Sequence, residues 1–367
     1  MSTVRPRTII NLAAGNSQMI VIKKAKEMGF RVIGVDRNPD APGFELCDER
    51  IVLSTYDAWP IIEKIILLKE RYHILGVINR SAGPPVVTCA ELCDYFSLPG
   101  IRSEAARDIV NKAKFKTKCQ RLGIPVPSGQ AVESLADIDI PGISFPCVIK
   151  PALSFVGKSG VMVINQSDEI SDAFLQAKQH SVNGWVIVEE FIAGRDVSLM
   201  AIVQRGRVFP LVLLDEINLI NRRGEILGIG FAVPSVFTGR AEALSVVLLA
   251  RSLVEVFALD TTILNMSCRV TAGGNLKLIE VHLDFGGDLI LDHLIPCSTY
   301  SDILRLMIGS LTGEPVFLDN IILKPAALIF GEGEDPSSKR SFNLVHAETR
   351  KDLEDVIHQV REDRAYA

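Results

Sequence analysis

No apolar run in this 367-residue chain is long enough to cross a bilayer as a helix. No block of basic residues forms a patch either. The 39 lysines and arginines are scattered against 44 acidic residues, for a formal net charge of −5. That balance leaves no electrostatic footprint for nucleic acid or for an anionic membrane surface. The N-terminal stretch MSTVRPRTIINLAAG lacks the apolar core and small-residue cleavage site of a secretory signal, so a cytoplasmic protein is expected. Seven cysteines, an odd number, stand mostly in apolar surroundings, which fits free thiols better than disulfides. Cys89 and Cys93 lie one helical turn apart, with no His or Cys partner at zinc spacing. Neither GxGxxG nor GxxxxGK[ST] occurs where its fold would need it, and there is no internal repeat.

What is there is a large apolar fraction, 48%, enough for two or three domains. TIINLA at 8–13 reads as a strand, Ala14–Asn16 as a turn, the segment from Ser17 as a helix, and RVIGVD as a second strand ending on Asp36. A right-handed crossover makes these two strands parallel. Asp36, at a strand's carboxyl end, points toward a ligand crevice. The alternation continues to Phe96, so residues 1–100 predict a doubly wound parallel sheet. Ser103 to Arg121 reads as one helix, carrying Lys112, Lys114, Lys116 and Lys118. Lys114, Lys116 and Lys118 are assigned to a solvated face.

The stretch PCVIKPALSFVGKSGV, Pro146–Val161, carries the clearest chemistry. A short buried strand ends on Lys150, Pro151 stops it, and a loop with Ser154, Gly157, Ser159 and Gly160 leads to a second strand. Such a loop offers backbone N–H groups to a polyphosphate while the lysine supplies charge. An ordinary hairpin with a surface lysine is the plain alternative. Further on, strands are expected around 185–189, 196–204, 207–217, 262–271 and 326–330. A helix over 240–258 is expected to bury Leu244, Val247, Leu248, Ala250 and Leu253. An exposed helix is expected at 351–364.

Taken together, four landmarks resemble the ATP-grasp family over about residues 8–310. Lys112 stands eleven residues before Gly123-Ile124-Pro125. VIKPALSFVGKSGV resembles the second phosphate lysine and its loop. VEEFIAGRDVS resembles the interdomain hinge, and LIEVHLDFGGD the metal-binding strand. The resemblance implies an α/β and α+β architecture: a pre-ATP-grasp sheet at 1–100, a small subdomain at 101–182, a large one at 183–310, and a C-terminal strand and helix at 311–367. It also implies ATP and Mg²⁺ as cofactors. Lys112 and Lys150, with Ser154, Gly157 and Gly160, would hold the phosphates. Glu189, Glu190, Phe191 and Ile192 would meet the adenine, and Asp196 the ribose. Small-molecule carboxylate and amine substrates are expected, and a homodimer is one assembly open to the chain.

The chain departs from the family at the metal site. Ser267 stands where an acid is usual, His282 where asparagine is, and Asp284 where arginine is; Glu280, Gly286 and Gly287 remain. Alternation along a strand puts Glu280, His282 and Asp284 on one face. Serine cannot bridge two Mg²⁺ ions as a carboxylate does. One ion is therefore expected, held by Glu280 with Asp284 in support, and Asp288 as a further carboxylate. Arg222 or Arg223 is the candidate to replace the lost arginine. The implied activity is ligation through an acylphosphate. The rival readings are a non-catalytic nucleotide- or partner-binding protein and, less well matched, a nicotinamide dehydrogenase.

Overall fold

The computed structural model describes residues 5–154, 158–286, 289–318, 321–331 and 341–365. The N-terminal unit runs β1 (Arg7–Leu12), α1 (Met19–Glu27), β2 (Arg31–Asp36), β3 (Glu49–Val52), α2 (Ala58–Leu68), β4 (His73–Asn79) and α3 (Pro84–Phe96). Its strands are all parallel, in the order β3-β2-β1-β4. Successive residues of β1 enter different cores: Ile9 packs with Val21 and Ile22 of α1, Ile10 with Ile61 and Ile65 of α2. A sheet covered on both faces needs this unbroken apolar run.

The expected single helix at 103–121 is two, α4 (Ser103–Val110) and α5 (Lys112–Arg121). Asn111 leaves helical geometry and its side chain accepts the N–H of Lys114, capping α5. Lys112 therefore opens a helix rather than riding inside one.

A second sheet, β5-β8-β6-β7, is antiparallel. It consists of β5 (Gly129–Val132), β6 (Cys147–Pro151), β7 (Met162–Ile164) and β8 (Val186–Glu190), with α6 (Ile170–Gln179) between β7 and β8 in the chain. Ala173, Phe174 and Ala177 of α6 cover Ile149 and Val188. The sequence reading placed 183–190 in the large subdomain; the hydrogen bonds of β8 place it in the small one.

The third sheet comprises β9 (Arg195–Gln204), β10 (Arg207–Ile220), β11 (Ile226–Val233), β12 (Thr262–Val270), β13 (Leu276–His282), β14 (Ala326–Phe330) and β15 (Phe342–His346). The order is β13-β12-β9-β10-β11-β14-β15. Helix α7 (Ala241–Val256) packs Val246, Leu249, Ala250 and Leu253 on Leu199, Ala201, Met266 and Cys268. Leu244 and Leu248, expected inside, are 60% and 49% exposed. After a π-helical turn at Ile290–Leu294 come α8 (Ile295–Ser298) and α9 (Ile303–Leu311), which ties the large sheet to α1. The C-terminal segment is not an appendage. β14 and β15 extend the large sheet, and α10 (Arg350–Ala365) buries Leu353 and Ile357 against Ile217, Ile229 and Ala327.

The β10–β11 hairpin, whose second strand the sequence reading missed, reaches the small subdomain. Val163 donates to the carbonyl of Gly224 at 2.7 Å, and Ile226 to that of Val161 at 3.1 Å. Gly224 has φ +79°, and a β-carbon there would stand 2.2 Å from the Val163 oxygen, so only glycine permits this approach.

Candidate active site

A cleft open to solvent lies between the small sheet and the β13 edge of the large one. Lys112, Lys116, Lys150, Ser154 and Glu189 line one side, and Glu280, His282 and Asp284 the other. Ala82 and Gly83, in the β4–α3 turn of the N-terminal unit, close one end.

Lys150 is the penultimate residue of β6, which runs on through Pro151 and is not stopped by it, and its Nζ lies 2.6 Å from Oε1 of Glu189. The other carboxylate oxygen pairs with Lys116. Lys116 is 7% exposed, which corrects its assignment to a solvated face. Its four-residue spacing from Lys112 puts both ammoniums on the cleft side of α5. That spacing was the available signal, and four lysines in seven residues obscured it. Burial lowers the Lys116 pKa, with Glu189 offsetting only part of this. Burial alone would raise Glu189; Lys150 and Lys116 outweigh it and keep the carboxyl below its usual range.

Opposite, Glu280 receives Lys112 at 3.1 Å and Nε2 of His282 at 2.7 Å. Burial would raise the Glu280 carboxyl, but Lys112 and His282 hold it well below the usual range. Burial would lower His282, yet Glu280 dominates and lifts the imidazole to about 9, so it is charged at neutral pH. Asp284 accepts the N–H of Gly286 at 2.7 Å, and its own carbonyl accepts from Asn265 at 2.6 Å.

The hinge residues are held from outside the cleft. Asp196 binds Nε and Nη2 of Arg269 at 2.6 and 2.9 Å, and the side-chain amide of Asn218 at 2.8 Å. Arg269 also donates to the carbonyl of Ile192 at 2.8 Å and stands over the Phe191 ring. Thus the residue expected at a ribose is engaged by a cross-strand arginine that the sequence reading did not single out. The Ile192 N–H has no partner among the described residues. Glu190 accepts from the Ser128 N–H and from Lys277. Gly160 has φ +70°, and a β-carbon there would press on His180. Gly157, Gly287 and Asp288 lie outside the described residues. Arg222 and Arg223 are exposed in the β10–β11 turn and do not line the cleft, so they are not brought to Glu280 and Asp284.

The donor set bears on Mg²⁺. Glu280 and Asp284 both line the cleft, whereas Ser267 stands directly across from Glu280 on β12. Among the described residues no three acidic, His or Cys side chains cluster as a metal cage. Mg²⁺ takes oxygen ligands and keeps several waters, and Glu280 and Asp284 are the carboxylates on this side of the cleft that could offer it oxygens.

Comparison with known proteins agrees with this geometry. The profile of the ATP-grasp domain matches residues 109–264. A formate-dependent phosphoribosylglycinamide formyltransferase from Bordetella pertussis is 30% identical over 209 residues, covering 54% of this chain and 50% of that protein. The corresponding enzyme of Geobacter metallireducens is 27% identical over 204 residues, 54% of this chain and 51% of its own. The chain thus spans about half the length of the curated relatives it matches. The crystal structure of an L-amino acid ligase from Bacillus licheniformis superposes with TM-score 0.80 at 17% identity, covering 98% of each chain. At that identity the likeness speaks for the fold alone. No helix among the described residues is long and apolar enough to cross a membrane. Residues 109–264 thus match the ATP-grasp domain, and the fold around the cleft is shared with the solved ligase structure.

Proposed function

We propose that the chain is an ATP-dependent ligase that activates a small-molecule carboxylate as an acylphosphate for attack by an amine. The observation carrying this reading is the cluster of Lys112, Lys116 and Lys150 in one cleft with Glu280 and Asp284. Lys116 and Lys150 share the single carboxylate of Glu189, and the one positive charge left over on that side is available to a triphosphate. Lys150 is held at a buried strand end, so its contact with a phosphate needs little reorganisation. The Ile192 N–H is a donor for the adenine edge, steadied by Arg269 on the adjoining carbonyl. Asp196 in this reading meets the ribose by exchanging part of its bond to Arg269.

In the first step an oxygen of the substrate carboxylate attacks the γ-phosphorus, and the bond to the ADP oxygen breaks. The amine nitrogen then attacks the acyl carbon, phosphate leaves, and the nitrogen loses its proton to solvent. Glu280 and Asp284 would hold Mg²⁺, which would supply further charge neutralisation. Lys112 and protonated His282 flank that carboxylate and help hold negative charge at the phosphoryl group. The Ala82–Gly83 turn is where a second substrate reaches the cleft, from the carboxyl ends of the parallel strands. A cytoplasmic location belongs to the same reading.

The test is release of ADP and phosphate with a panel of small carboxylates, each with and without amines. Turnover requiring both partners supports the ligase. A second reading, nucleotide binding without catalysis, rests on Ser267 and on the pairing of Glu280 with two protein cations. ADP binding with no turnover across the panel would favour it.

A further inference from the structure

Beside the cleft, a half-buried polar row on the large sheet runs from Glu280 and Ser267 to residues not yet assigned. Ser267 on β12 stands between Glu280 on β13 and Ser198 on β9. The hydroxyls of Ser198 and Ser267 lie 2.5 and 2.6 Å from Oε1 of Glu216 on β10. The other oxygen of Glu216 lies 3.0 Å from Nζ of Lys158, which also meets the side-chain carbonyl of Asn218. The Glu216 side chain is 10% exposed. Burial would raise its carboxyl; Lys158 and the two serines outweigh burial and bring it down to about 2.

Lys158 does not belong to this sheet. It comes from the Gly/Ser loop that follows Lys150, so the pair joins the two subdomains. Its backbone has φ +63°, the left-handed region that a side chain disfavours. Such a conformation persists only where surrounding contacts impose it. The contacts here are the ammonium on Glu216 and Asn218, beside the backbone bonds from Val163 and Ile226 to the hairpin and loop. Glu216 has no vacant role as a metal ligand, because hydroxyls hold one oxygen and an ammonium the other. An acid at position 267 would leave the row one negative charge richer and able to bind a second divalent ion. With serine there, Lys158 is the cation the row already contains.

We propose that Glu216 is a positioning residue that holds Lys158 toward the nucleotide phosphates from the opposite subdomain, the tethered ammonium taking the place of a second divalent cation. The inference rests on the nucleotide-binding reading above. A tethered ammonium needs no octahedral shell and does not depend on free Mg²⁺ concentration.

The experiment is calorimetry of ADP and ATP binding to the full chain, with Mn²⁺ counted by electron paramagnetic resonance in the ATP complex. The wild type should take one Mn²⁺ per chain. Glu216→Gln and Lys158→Met should each weaken nucleotide binding by about ten-fold or more, the range of a charge-assisted contact. Their double variant should be no weaker than either alone, since both remove one interaction. Glu216→Asp should recover part of the loss, which a purely structural role would not require. Lys158→Met together with Ser267→Glu should restore affinity and bind two Mn²⁺. Two Mn²⁺ in the wild type, additive losses, or unchanged or tighter binding by folded Glu216→Gln would overturn the proposal alone. Lys158 lies on a loop, so its variant keeps the test open should Glu216→Gln not fold. Failure of the wild type to bind either nucleotide would overturn both this proposal and the reading beneath it.

Discussion

The N-terminal sheet and the cleft both bury charge, but they commit it differently. In the N-terminal unit, Asp36 accepts the backbone N–H groups of Ala14 and Asn38 at 2.8 and 2.9 Å. Arg80, whose side chain is 2% exposed, binds the carbonyls of Ser17 and Gly286 and the carboxylate of Asp292. These charges are consumed by turns and by the seam with the loop after β13. In the cleft, Lys112, Lys116 and Lys150 bind side-chain carboxylates instead. A bond to backbone cannot be given up without moving the chain, whereas an ammonium–carboxylate pair can exchange for an ammonium–phosphate pair. Asp36 and Arg80 occupy positions where parallel sheets often bind ligands, yet they read as fold-holding residues. The lysines read as ligand-holding ones.

The largest effect that would break this comparison is on stability. Arg80→Met strands Asp292 and two carbonyls, and losing one partner of a buried pair costs about 3–5 kcal/mol. Denaturant unfolding should register that loss while nucleotide affinity of the folded protein stays unchanged. A selective loss of affinity would place Arg80 among the ligand-holding residues.

Lys150→Ala should do the opposite. Its charge-assisted contact is worth roughly 1.5–3 kcal/mol, so nucleotide binding should weaken about ten-fold or more. Glu189 retains Lys116 as a partner, which limits the structural cost. Lys112→Ala should weaken binding less, because Lys112 is a first-turn residue rather than part of a sheet. Calorimetry on both variants ranks them, and a reversed order would sink the assignment of Lys150 as the fixed point of the cleft.

Glu280→Gln keeps the shape and removes the charge. Binding of the nucleotide should lose its dependence on Mg²⁺, read by comparing isotherms in Mg²⁺ and in EDTA. An unchanged Mg²⁺ dependence would move the metal elsewhere.

The smallest expected effect is a pH limb. His282 is raised from an ordinary 6.5 to about 9 by Glu280. Its positive charge, and the stabilisation of the Glu280 pair, is fully present below about 6.5 and lost as pH rises through about 9. Nucleotide affinity should fall over that upper range, and His282→Asn should remove the limb. A wild-type profile flat from pH 7 to 10 would show that the imidazole contributes no charge to the site.

How much of this was legible depended on whether a partner lay nearby in sequence. Lys150 was found because a strand, a proline and a Gly/Ser loop mark its position locally. Glu280 and His282 were placed on one face by simple alternation. Lys116 was misread because its partner Glu189 lies 73 residues away. Arg269 and Glu216 escaped notice for the same reason, their contacts being made only when β9, β10 and β12 line up. Helix α7 was found, with Ala250 and Leu253 inside as expected but Leu244 and Leu248 outside. It is apolar nearly all round, so periodicity does not choose between Leu244 and Val246; the sheet beneath it does.

The sequence by itself determined the order of elements, the parallel opening unit, the lysine-bearing strand with its loop, and the departures at Ser267, His282 and Asp284. Those are local signals, written in alternation, turn residues and short spacings that neighbouring atoms enforce. Tertiary structure alone decided which charges pair, that β8 belongs to the small sheet, that the C-terminal strands and helix complete the large one, and that Lys158 crosses to Glu216. Each of these is a contact between segments distant in the chain. Its energy depends on burial and on the distance between charges, and neither quantity exists until the sheets have packed.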